Sequence, residues 1–178
     1  MGKQAWGNDY RKITLDEECE EYPLEFYLCN HCMMAQIGYT VSKTKMFLDH
    51  TYLSGTTKSL KHHFVDVGLS VLKKVRFNSD DYVLDIGGND GTFLEFFQEN
   101  GIKVLNIDSG RLQAQISNSK KVLCINKFFN SKVAEEILSD NGQALVIHGS
   151  GIFFHLEELH SVFKGIELLL APNGILVA

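Results

Sequence analysis

Val83-Leu84-Asp85-Ile86-Gly87-Gly88-Asn89-Asp90-Gly91-Thr92-Phe93-Leu94 is the stretch that decides the fold. Residues 82–86 are apolar apart from Asp85 and predict a short buried strand. The glycines at 87, 88 and 91 then predict a tight turn. Residues 92–100 carry a helical pattern closed by Gly101, a residue suited to the left-handed position that ends many helices. A strand that runs into glycines and then a helix brings backbone close to a ligand at the carboxyl edge of a sheet.

The same alternation continues outward. Strands are expected over 103–107, 122–125 and 144–148, with helices over 112–117 and 131–139 between them. Leu156, Leu159, Phe163, Ile166 and Leu170 pattern an amphipathic helix. Pro172-Asn173-Gly174 then marks a turn before a fifth strand at 175–178. Strands and helices joined by short loops predict an α/β fold, a parallel sheet with helices on both faces. Upstream, Leu60, Phe64, Val67, Val71 and Val75 recur at helical spacing, and Asn78-Ser79-Asp80-Asp81 ends that helix. A boundary near residue 58 gives a larger domain over 59–178 and a small, irregular β segment over 1–58. Within the small segment, Cys29-Asn30-His31-Cys32 lies between the apolar runs 24–28 and 33–37. That arrangement predicts a hairpin with a knuckle at its turn. The pattern stops in strand five, which suggests a fragment, or a partner chain or second copy covering an exposed sheet edge.

Composition narrows the function classes. A formal net charge of −5 and the lack of any long Lys/Arg run argue against a nucleic-acid partner. Nothing approaches the ~20 apolar residues of a membrane span, and the N-terminus lacks the apolar core of a signal peptide. Trp6 stands where myristoylation would want Ser or Thr. The four cysteines are too few and too unevenly placed for a disulfide scaffold. A reduced, cytoplasmic protein is the expectation.

The spacing of the glycine turn helps choose a ligand. A dinucleotide fingerprint starting at Gly87 would need glycine at 89 and glycine or alanine at 92, where the chain has Asn89 and Thr92. An acidic residue followed by G-x-G-x-G is met at Asp85, Gly87 and Gly91, with Asn89 in place of the middle glycine. Asn tolerates left-handed backbone better than most residues. S-adenosyl-L-methionine has no pyrophosphate to cradle, and its ammonium and sulfonium charges suit Asp85 and Asp90. Asp108, at the end of the second strand, suits the two ribose hydroxyls. The blander alternative is a tight turn at Gly87 and Gly91, Asp90 as a helix cap and Asp108 as a solvated loop residue.

Beyond that loop, Tyr22-Pro23-Leu24, Leu28-Cys29-x-x-Cys32, Met46-Phe47, Tyr52-Leu53-Ser54-Gly55-Thr56-Thr57 and Ile86-Gly87-Gly88-Asn89-Asp90-Gly91-Thr92 follow in order. Together they resemble the sugar C-methyltransferase family over most of residues 22–178. The resemblance implies a Rossmann-like class I methyltransferase domain behind a zinc-binding N-terminal domain. It also implies S-adenosylmethionine as methyl donor and a nucleotide-linked keto-deoxysugar as acceptor. It places Gly87, Asn89, Asp90 and Gly91 along the cofactor, Asp108 on the ribose, Phe128-Phe129 beside the adenine, and His155 next to the acceptor. Tyr52 matches an aromatic position of the family, and His50 replaces a tyrosine two residues earlier. The first of the family's two Cys pairs is absent.

Carbon methylation beside a carbonyl needs a base and a group that stabilises the enolate. His155 is a candidate for either role, against an ordinary residue at the start of the last helix. Tyr52 is a candidate donor to the enolate oxygen, against a packing aromatic. His62 and His63 are expected on the surface. Cys29 and Cys32 have metal-ligand spacing, yet tetrahedral zinc needs four ligands, with Cys19, His31 or His50 as further candidates. Cys124, in an apolar strand, reads as core. Two other functions compete with a methyltransferase: a truncated, catalytically inactive cofactor-binding or interaction module, and an NAD-binding oxidoreductase.

Overall fold

The computed structural model describes residues 1–7 and 18–178, and the chain divides into two compact units, Met1–Thr51 and Tyr52–Ala178. In the first unit, β1 (Lys3–Ala5) pairs antiparallel with β2 (Glu21–Pro23), and β3 (Phe26–Leu28) with β4 (Ala35–Ile37). The β3–β4 hairpin is the one that the apolar runs around Cys29 and Cys32 predict. Its turn is closed by the Cys29 N–H to the Met34 carbonyl at 2.9 Å and the Met33 N–H to the Cys29 carbonyl at 2.8 Å. A short helix, α1 (Lys43–Phe47), follows, and its Lys45 pairs with Glu20 and lies over the Tyr22 ring.

The second unit begins with a 3-10 turn, Ser54–Thr56, and the long helix α2 (Lys58–Lys74). It continues through β5 (Tyr82–Ile86), α3 (Thr92–Glu99), β6 (Lys103–Ile107), α4 (Arg111–Ser119), β7 (Cys124–Ile125), α5 (Ser131–Asn141), β8 (Ala144–His148), α6 (Leu159–Leu169) and β9 (Leu170–Val177). The strands form one parallel sheet in the order β7-β6-β5-β8-β9. Strand order therefore reverses between β5 and β8, and in such sheets the crevice at the carboxyl ends beside the reversal is where ligands bind.

β5 and β8 are buried along their whole length, as expected of strands covered on both faces. On one face, Phe129, Val133, Ala134 and Ile137 of the α5 region pack with Val162, Ile166 and Leu169 of α6. On the other, Phe64 and Val71 of α2 pack with Phe93, Leu94 and Phe97 of α3. Gly68 lets α2 and α3 meet closely, since a Cβ there would lie 2.3 Å from the Phe96 ring. Cys124 is buried as core, and its burial pushes the thiol up to about 12. His62 and His63 lie on the exposed face of α2.

Segment 52–57 is tied to the glycine loop by long-range hydrogen bonds and packs with the second unit. Two expectations shift. The last helix starts at Leu159, not Leu156: residues Phe153–His155 form a 3-10 turn and Leu156 is extended. The Pro172-Asn173-Gly174 turn is an irregularity inside β9. Ala144 pairs with Leu170 but Val146 with Ile175, so the residues between bulge from the ladder.

Candidate functional site

β5 delivers the chain to Gly87, whose N–H donates to the Ile107 carbonyl at 2.7 Å and so continues the ladder with β6 by one bond. The backbone then turns left-handed at three alternate positions: Gly87 (φ 69°), Asn89 (φ 52°) and Gly91 (φ 76°). Asn89 thus sits in the conformation for which the glycine pattern reserves that place. Gly91 is fixed also by space, because a Cβ would lie 2.8 Å from Ser117 Oγ and 3.1 Å from Val122. At Gly88 a Cβ would lie 2.4 Å from Asn106 Oδ1 and 2.6 Å from Asp85 Oδ2.

Asp108 closes the loop from the neighbouring strand. Its Oδ2 accepts the Asn89 N–H at 2.9 Å and its Oδ1 accepts the Gly110 N–H at 2.7 Å. Asn126, beyond β7, donates through Nδ2 to the Asp108 carbonyl at 2.9 Å and the Gly110 carbonyl at 3.2 Å. The carboxylate is thus held at the carboxyl edge, beside the loop rather than away from it. Each carboxylate oxygen can accept more than one hydrogen bond. Phe128, two residues after Asn126, is half-buried, and Phe129 is core.

Asp85 is 2% exposed, and its Oδ1 lies 2.7 Å from Nδ1 of His148, which is 4% exposed and stacked on Phe93 at 3.7 Å. The carboxylate expected to face an ammonium group thus lies against an imidazole inside the fold. Asp90 works locally: its Oδ1 accepts from Thr92 Oγ1 at 2.6 Å and from the Thr92 N–H at 3.3 Å, at the start of α3. Its Oδ2 accepts the Gly55 N–H at 3.0 Å, and Lys120 Nζ stands 3.6 Å away.

Sequence reasoning missed several residues that shape this place. Asn106 is fully buried, and its Nδ2 donates to the Asn89 carbonyl and to Ser117 Oγ, both at 3.0 Å. A polar residue amid the apolar strand 103–107 was the available signal. Gln113 donates through Nε2 to the Tyr52 carbonyl at 2.9 Å. No local pattern announces that contact.

On the other side of the crevice, Ile152 follows β8 and packs against Gly87, where a Cβ would lie 2.5 Å from Ile152 Cγ2. His155 is on the same turn, its N–H donating to the Ile152 carbonyl at 2.9 Å. Partial burial holds the His155 imidazole below its usual pKa of 6.5. The side chain of Tyr52 is about half exposed, and its carbonyl accepts from Asn89 Nδ2 and Gln113 Nε2.

In the hairpin, the N–H groups of Cys32 and then of His31 donate toward the Cys29 sulfur and, with the Cys32 thiol, hold the Cys29 thiol below its usual pKa. Tetrahedral zinc takes four ligands, and this turn brings together two thiols. Among the described residues no cluster of three or more His, Cys, Asp or Glu side chains is arranged to hold a metal ion. None of their helices is long and apolar enough to cross a membrane.

The loop's left-handed backbone at a strand end, beside a braced carboxylate, suits an adenosyl ligand. Comparison with known proteins points the same way. A family model described as "Putative zinc binding domain" matches residues 1–47. The C-methyltransferase NovU of Streptomyces niveus is 27% identical over 154 residues, 86% of this chain and 37% of that protein. The chain therefore spans little more than a third of the curated relative it matches. Among solved structures, geranyl diphosphate C-methyltransferase from Streptomyces coelicolor A3(2) has a TM-score of 0.51 at 15% identity. It covers 66% of this chain and 45% of that one. The plantazolicin methyltransferase BpumL has a TM-score of 0.50 at 17% identity, covering 65% and 44%. These two likenesses concern the fold. A model described as "Methyltransferase domain" matches residues 57–178, well over half the chain, and the chain belongs to that family.

Proposed function

We propose that this chain is the cofactor-binding part of an S-adenosylmethionine-dependent C-methyltransferase whose acceptor is a nucleotide-linked keto-deoxysugar. The observation that carries the cofactor assignment is Asp108, buried at the strand end with one oxygen on the Asn89 amide and the other on the Gly110 amide. A carboxylate so braced meets a ribose without having to reorganise. The acceptor class is supported by the likeness to NovU and by the order of motifs from Tyr22 to Thr92.

S-adenosylmethionine supplies an electrophilic methyl group on a sulfonium. In this reading the chain holds the nucleoside through Asp108 and the backbone of 87–91, with Phe128 beside the adenine. Asp85 acts through its pair with His148, fixing the end of β5. His155, whose pKa partial burial lowers, accepts the proton from the carbon beside the acceptor's carbonyl. Tyr52 is the candidate donor to the enolate oxygen. Cys29 and Cys32 are proposed zinc ligands.

Labelled methyl transfer from S-adenosylmethionine to a panel of nucleotide-linked keto-deoxysugars tests the activity, with S-adenosylhomocysteine binding measured alongside. Transfer that His155→Ala abolishes is expected. Tight adenosyl binding with no transfer to any sugar would assign the chain as a binding module. A zinc content far below one equivalent per chain would remove the metal proposal.

A further inference from the structure

The side chain of Asn89 does not point its bonds at the cradle. Its Oδ1 accepts the Ser54 N–H at 3.0 Å and its Nδ2 donates to the Tyr52 carbonyl at 3.2 Å. The Asn89 main chain faces the other way: its N–H is on Asp108 and its carbonyl on Asn106. One residue therefore joins the carboxylate expected to hold the ribose to the segment that carries Tyr52. Asp90 adds a parallel tie, through its Oδ2 to the Gly55 N–H. Both side chains lie in the loop that the glycine pattern assigns to cofactor contact, and both spend hydrogen bonds on segment 52–57. A glycine at position 89 would supply the same left-handed backbone and neither bond.

We infer that Asn89 is a positioning residue: its side chain ties segment 52–57 to the cofactor loop, so that filling the cradle steadies the chain at Tyr52. This rests on the adenosyl-binding reading given above. The path has three links: ligand on Asp108, Asp108 Oδ2 on the Asn89 amide, and the Asn89 side chain on Ser54 and Tyr52. Its physical content is local. A bound ligand that holds Asp108 still holds the Asn89 backbone, and the amide side chain cannot then swing away from Ser54. Gln113 holds the same Tyr52 carbonyl independently, at 2.9 Å, so the segment stays docked in either state and what changes is how often it opens.

Hydrogen exchange of the Ser54 and Gly55 amides, referred to amides of α5, reads the coupling directly in the full chain. In the wild type, S-adenosylhomocysteine is expected to slow both by at least tenfold. In Asn89→Gly the Ser54 amide should exchange at least tenfold faster without ligand. Added S-adenosylhomocysteine should then protect residues 87–91 but no longer Ser54. Gly55→Ala approaches from the other side, because its Cβ would lie 2.6 Å from Asp90 Oδ2 and 2.7 Å from Thr92 Oγ1, and it should uncouple Ser54 likewise. Ligand protection of Ser54 in either variant equal to the wild type would overturn the inference. So would loss of S-adenosylhomocysteine binding in Asn89→Gly, which would make the side chain a cofactor ligand. Protection of 87–91 without Ser54 in the wild type would also refute it while leaving the adenosyl reading intact. No protection anywhere and no binding would remove both.

Discussion

Replacing Asp108 by asparagine separates what that carboxylate does for the fold from what it does for a ligand. Oδ2 takes the Asn89 N–H at 2.9 Å and Oδ1 takes the Gly110 N–H at 2.7 Å. An amide keeps one of these oxygens and turns an NH2 group on the other donor, leaving one buried N–H without its acceptor. That costs about 1–3 kcal/mol, which for a domain of this size lowers the unfolding midpoint by roughly 3–10 °C. For a bound nucleoside the loss is one acceptor and the negative charge. A hydrogen bond to a charged group contributes about 1.5–3 kcal/mol, so affinity for S-adenosylhomocysteine should fall about 10- to 150-fold. Thermal unfolding and calorimetric titration of the same preparation give both numbers. If the midpoint falls as stated but affinity stays within threefold of the wild type, Asp108 only braces its loop, and the ribose assignment is wrong.

Further consequences concern the loop, the helix behind it and the candidate base. Gly88→Ala would press a Cβ to 2.4 Å from Asn106 Oδ1 and 2.6 Å from Asp85 Oδ2, so urea denaturation should show a loss of about 1–3 kcal/mol. A change under about 0.5 kcal/mol would mean that the two side chains yield freely. Asn130 Oδ1 accepts the N–H groups of Lys132 and Val133 at 3.0 Å each and caps α5, so Asn130→Ala should cost about 0.5–2 kcal/mol in the same assay. Burial lowers the His155 pKa, so its basic, neutral form persists to lower pH than that of a free imidazole. The acidic limb of kcat/KM for methyl transfer should therefore lie below pH 6.5, and a limb above that value would exclude His155 as the base.

The middle of the sheet was readable because β5 and β8 are buried along their whole length. Apolar runs at 82–86, 103–107 and 144–148 match β5, β6 and β8 residue for residue. The left-handed Asn89 was also readable, since the glycine spacing demands that backbone there. What escaped was set by distant partners. Nothing near Tyr52 in sequence reveals that its carbonyl meets Asn89 and Gln113. The helical spacing of Leu156 continued a pattern that the backbone abandons, because Phe153–His155 tightens into a 3-10 turn that brings Ile152 onto Gly87. The contact of Asp85 with His148, sixty-three residues away, is likewise a tertiary fact that no local pattern announces.

The bend after β5 and the carboxylate at the end of β6 are argued to form a nucleoside cradle. Calorimetric titration of the intact chain with S-adenosylhomocysteine, and separately with NAD, asks that question with the fewest assumptions. Saturable one-to-one binding of the adenosyl thioether, with no heat from NAD, is the predicted result. Binding of NAD alone, or of neither compound to a folded chain, would contradict it.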